Sequence, residues 1–89
     1  MGRLHLIIKG RVQGVFFRVR AQEVAEKFGL VGVARNRPDG SVEIVAEGSV
    51  EKLSRLRDWA KRGSSEAQVS GVEEIFERET GEFSDFRIR

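Results

Sequence analysis

The sequence predicts an α+β sandwich, a single sheet with two helices packed on one of its faces. Three observations carry this. Apolar periodicity switches from two residues to about 3.6 and back, twice, along the chain. Turn residues punctuate each switch. The resulting order, β-α-β-β-α-β with a short strand after it, contains two consecutive crossover units, which put both helices on the same side of an antiparallel sheet.

Leu4, Leu6 and Ile8 alternate with His5, Ile7 and Lys9, so this stretch is a strand half buried on a core, with His5 facing solvent. From Phe17 the apolar positions become Phe17, Ala21, Val24, Ala25 and Phe28, with Arg20, Glu23, Glu26 and Lys27 outward. Gly29 is a natural stop for this helix. Leu30 to Arg35 forms a second strand. Arg37-Pro38-Asp39-Gly40 then supplies turn chemistry, since Pro presets φ and Asp-Gly tolerates positive φ. Ser41 to Glu47 pairs back as a third strand, with Val42, Ile44 and Ala46 inward, and Glu43 and Glu47 reading as a solvated edge pattern.

Ser49 is placed to cap a second helix, with Glu51 in its first turn. Val50, Leu53, Leu56 and Ala60 mark its inner stripe, Trp59 its edge, and Gly63-Ser64-Ser65 its end. Ala67, Val69, Val72, Ile75 and Phe76 lie in a fourth strand, irregular near Ser70-Gly71. Its charged Glu73 and Glu77, with Glu79 beyond, suit a sheet edge. Phe83 to Arg89 is a short terminal strand with Phe86 and Ile88 inward. The arrangement is the ferredoxin-like α/β sandwich, with the extra strand at the C-terminal end. At 89 residues, a single domain over residues 1–89 is expected.

Composition narrows the chemistry. There is no cysteine, which removes disulfides, thiolate metal sites and cysteine nucleophiles. There is one histidine, and no cluster has metal-ligand spacing. No apolar run approaches the length of a membrane span, and the N-terminus lacks a signal-peptide plan, so a cytoplasmic protein is expected. The net charge of +2 is too small to argue for nucleic acid, but it is unevenly spread. Residues 1–40 carry eight Lys/Arg against three Asp/Glu, and residues 41–89 eight against eleven. The positive half favours a small anion over a long polyanion. An RNA-binding sheet would stack bases on aromatics of its central strands. Here the outward positions offer His5, Ile7, Glu43 and Val45, and the chain has no Tyr.

The positive half contains Gly10-Arg11-Val12-Gln13-Gly14-Val15-Phe16-Phe17-Arg18, where a strand turns into a helix. Such a turn can aim backbone N–H groups at one point beside the positive end of a helix dipole, with Arg18 closing over a bound anion. It has neither the Lys-Ser/Thr pair of a nucleotide P-loop nor a G-x-G-x-x-G spacing. On spacing alone it is an anion cradle or an ordinary tight turn. Asn36 ends the second strand at the same end of the sheet. Its amide could orient a water beside the cradle, or serve only as an Asx-turn residue before Pro38.

These residues resemble a known family. Gly10 to Arg18 is similar to the first signature of the acylphosphatases, and Gly32 to Glu43, with Gly48, to the second. Gly63, Ala67, Val69 and Val72, and then Phe86-Arg87-Ile88, resemble the remaining segments of that family, so the likeness covers essentially the whole chain. The resemblance implies hydrolysis of acyl phosphates to a carboxylate and inorganic phosphate, with no cofactor, no metal and no covalent intermediate. It implies a phosphate held by Gln13, Gly14, Val15, Phe16, Phe17 and Arg18, with Arg18 and Asn36 catalytic, Asn36 placing the attacking water. The expected partner is therefore a small-molecule acyl phosphate, with no nucleic acid, no membrane and a monomeric state. Two positions depart from the family pattern. Val33 stands where an aromatic is usual, implying altered packing beside the site, and Ser64 stands where Pro often follows Gly63.

Overall fold

The computed structural model describes residues 1–89. Its elements are β1 (Gly2–Arg11), α1 (Phe17–Lys27), β2 (Val31–Asn36), β3 (Val42–Gly48), α2 (Val50–Arg62), β4 (Gln68–Glu77) and β5 (Phe86–Ile88). The strands form one sheet in the order β4-β1-β3-β2-β5. Every pairing is antiparallel except that of β5, which lies parallel to β2 and makes the sheet mixed.

The inward residues of the strand patterns meet the helix stripes in one core. Leu4, Leu6 and Ile8 of β1 and Val42, Ile44 and Ala46 of β3 pack with Phe17, Ala21 and Ala25 of α1 and Leu53, Leu56 and Ala60 of α2. Each fully buried Leu or Ile of this set contributes roughly 1.5–3 kcal/mol of transfer free energy. The Ser49 hydroxyl accepts from the Lys52 N–H at 3.2 Å, which is the cap expected of it. Val50, expected in the inner stripe, is exposed instead, because it sits at the first helical position beyond the edge of the core.

Strand β4 lies at the sheet edge as expected. Its register against β1 slips where Lys9 pairs Gly71 but Gly10 pairs Val69, so Ser70 bulges out. Gly10 belongs to this junction. Its φ is +123°, and a Cβ there would lie 2.2 Å from the Gln68 carbonyl oxygen, so no other residue fits.

The reading of Glu43 and Glu47 as a solvated edge pattern is overturned. Strand β3 is central, and Glu47 is only 3% exposed. Its carboxylate accepts from the Thr80 N–H at 2.9 Å, the Thr80 hydroxyl at 2.8 Å, the Gly81 N–H at 3.0 Å and Arg3 at 3.0 Å. Burial pushes this carboxyl up, but those donors outweigh it and hold it below the usual carboxylate range. Glu43 lies between Arg35 and His5, whose Nε2 is 2.6 Å away. Burial again pushes its carboxyl up, and the two partners bring it below the usual range. His5 thus stands on the outer face, but paired.

Candidate active site

The chain continues as strand through Arg11, so the strand-to-helix connection is Val12 to Phe16, shorter than the sequence suggested. Within it φ alternates in sign. Gly14 has φ 75°, Val15 a negative φ, and Phe16 φ 60° and ψ 25°. Alternation of this kind turns successive N–H groups towards one side and makes an anion-binding nest. Helix α1 then begins at Phe17 with no side-chain cap and no acidic residue in its first turn. Its first N–H groups therefore point outward without an internal partner, at the positive end of the dipole. Glycine suits φ near +75°. An aromatic at φ 60° costs roughly 1–3 kcal/mol of backbone strain.

Side chains of the loop hold it in place from below. The Phe17 ring is buried, with its centroid 5.0 Å from that of Trp59, which fixes the start of α1 against α2. Val15 packs on the core. Gln13 does something its position in the sequence does not announce. Its amide Nε2 donates to the Arg37 carbonyl at 2.7 Å and the Ser41 carbonyl at 2.9 Å, across the β2–β3 turn. The same turn is closed by the Arg37 N–H on the Ser41 carbonyl at 2.8 Å. Its Asp39 carboxylate accepts from the Ser41 hydroxyl and N–H, which keep it below the usual carboxylate range. One amide side chain thus ties the loop before α1 to the turn that follows Asn36.

Asn36 shares the sheet face of Ala34, a core residue two positions earlier. It stands where that face runs out beside the N-terminus of α1. Arg18 is half buried, and its Nη1 donates to the Arg89 carbonyl oxygen at 2.6 Å. That bond orients the guanidinium from beyond the end of β5 and leaves it further N–H donors. Arg18 and Asn36 line one cavity of about 310 Å³ with Gly14, Phe16 and Phe17. No acidic side chain lines it.

Of the residues expected to form the cradle, Gly14, Phe16, Phe17 and Arg18 line this cavity, while Gln13 and Val15 do not. Val12, Val19 and Ile88 also line it and were not expected there. Val19 had a signal, being an apolar residue outside the inner stripe of α1. The Arg89 contact had none, because it spans 71 positions. Val33 does not pack beside the site. It lies with Val45 on the opposite face of the sheet from Ala34 and Asn36.

Comparison with known proteins gives the family. The sequence model of the acylphosphatase family matches residues 4–88. An acylphosphatase from Pyrobaculum islandicum is 49% identical over 87 residues, covering 97% of this chain and 92% of that protein. One from Methylococcus capsulatus is 44% identical over 88 residues, covering 99% and 96% respectively. The crystal structure of acylphosphatase from Bacillus subtilis matches with a TM-score of 0.95 at 37% identity, over 100% of this chain and 99% of that one. With its sequence matched almost end to end and its fold shared, the chain belongs to the acylphosphatase family of hydrolases.

Proposed function

We propose that the chain hydrolyses the carboxyl–phosphate anhydride of acyl phosphates by direct attack of water on phosphorus. The phosphate sits in the nest at the start of α1, held by backbone N–H groups of the loop and by Arg18. Asn36 holds the water in line with the leaving oxygen. The new bond joins the water oxygen to phosphorus. The carboxylate departs with the electrons of the broken P–O bond, and one water proton passes to a phosphoryl oxygen. The products are a carboxylate and orthophosphate, with no covalent intermediate.

The observation that carries this reading is that Arg18, Asn36 and the uncapped first turn of α1 open on one cavity. Phosphoryl transfer needs chiefly positioning and charge stabilisation. Fixed N–H donors and a guanidinium supply the second. A carboxylate is a good leaving group, so the reaction needs no strong general acid. The reading includes independence from metal ions. The positioning and charge stabilisation come from the chain itself.

The test is release of phosphate from benzoyl phosphate in the presence of EDTA, by the wild type and by Arg18→Ala. The wild type should turn over, and the variant should be slower on the order of 10³-fold. Phosphate binding without turnover in the wild type would reduce the site to an anion-binding module.

A further inference from the structure

We propose that Phe16 and Val19, with Ile88 behind them, form an apolar subsite that selects acyl phosphates with aromatic or extended apolar acyl groups. This rests on the phosphate reading of the same cavity. Phe16 is 70% exposed and Val19 40%, although both side chains border a cavity in which they could have been covered. Phe16 holds this position in a left-handed backbone conformation that glycine would adopt without strain. The fold gains little from the ring, because it is neither buried nor part of the core. An exposed aromatic in a strained conformation beside an anion nest is explained by what it meets when the nest is filled.

The rim has a consistent chemistry. Gly14, Phe16 and Val19 are the exposed members of the lining, and none carries a charge. The polar members, Arg18 and Asn36, are half buried. A phosphate drawn to the nest therefore leaves its acyl group at a rim that offers carbon surface and no ionic partner. An aryl group there removes its own surface and that of Phe16 from water, and adds ring–ring contact. A small or charged acyl group gains none of this.

The experiment compares kcat/KM for benzoyl phosphate and acetyl phosphate within each variant, with inorganic phosphate as competitive inhibitor. In the wild type benzoyl phosphate should be preferred. Phe16→Ala should lower the benzoyl-to-acetyl ratio roughly tenfold, and Val19→Ser should lower it by about threefold. Phe16→Leu should restore part of the ratio. Both positions are exposed, so circular dichroism should show the variants folded. An unchanged ratio in both variants, with phosphate inhibition intact, overturns the subsite and leaves the phosphate reading standing. Loss of turnover and phosphate inhibition in the wild type overturns both.

Discussion

The two ends of the sheet handle negative charge in opposite ways. At the end where β1 starts and β3 finishes, the chain supplies its own anion. Glu47 is buried there and is surrounded by donors from Arg3, Thr80 and Gly81. At the other end, the loop before α1 brings two positive-φ residues and a helix start to one cavity, and no acidic side chain lines it. Arg3 meets the side chains of Glu47 and Glu82, whereas Arg18 meets no acidic side chain, only the main-chain oxygen of Arg89. Donors closed on an internal carboxylate fasten a chain connection. Donors left open are what the proposed phosphate site is built from.

The comparison can be broken first at Arg18. Arg18→Ala should lower kcat/KM for benzoyl phosphate on the order of 10³-fold and weaken phosphate inhibition with it. Arg18→Lys should recover little, since one ammonium cannot grip two oxygens and also reach the Arg89 carbonyl. Strong turnover by Arg18→Ala would remove the guanidinium from the site. Asn36→Ala should cost about 10²-fold in kcat while phosphate still inhibits near its wild-type concentration. A matching loss of phosphate inhibition would make Asn36 a binding residue.

Gln13→Leu tests whether the loop and the β2–β3 turn must be tied together. It removes two hydrogen bonds and should lower kcat about tenfold and stability by about 1–2 kcal/mol. Equal loss of stability with unaltered kcat would leave Gln13 a purely structural clamp.

At the closed end, Glu47→Gln should destabilise the fold by about 1–3 kcal/mol at neutral pH with little change in kcat. The folded carboxyl of Glu47 lies below its unfolded value. Its contribution is therefore complete above the unfolded carboxylate range, near pH 4.3, and is lost as pH falls through the folded value. Urea midpoints of the wild type and Glu47→Gln should converge as pH falls through this range, and parallel curves would show that the charge of Glu47 is not what matters. The smallest effect is expected at Ser64, whose hydroxyl is buried without a partner. Ser64→Ala should be neutral or stabilising by up to about 1 kcal/mol, read from the same midpoints.

Much of the fold was legible because it is written in short-range periodicity. The inner stripes of β1, β3 and α1, the Ser49 cap and the irregularity at Ser70 each depend on neighbours within a few positions. Glu47 was misread for the converse reason. Its alternation is that of a solvated residue, and its donors Thr80 and Gly81 come 33 and 34 positions later. At the site, backbone geometry was foreshadowed by the glycines and by resemblance to a family. The Gln13 clamp was not, because a glutamine reaching carbonyls 24 and 28 positions away leaves no local mark. The short β5 carries Phe86 and Ile88 in the expected pattern, but three residues do not announce a parallel partner.

The bond from Arg18 to the Arg89 carbonyl bears on the time course of refolding. It closes a loop of 71 positions and depends on a three-residue parallel strand, so it belongs to the slowest class of contacts to form. Trp59, the single tryptophan, sits instead where α1 meets α2 and reports helix docking. Stopped-flow refolding should therefore show its emission settling before phosphate release returns. The interval between the two signals would measure how long a packed chain waits for the far end of its sequence to aim one guanidinium.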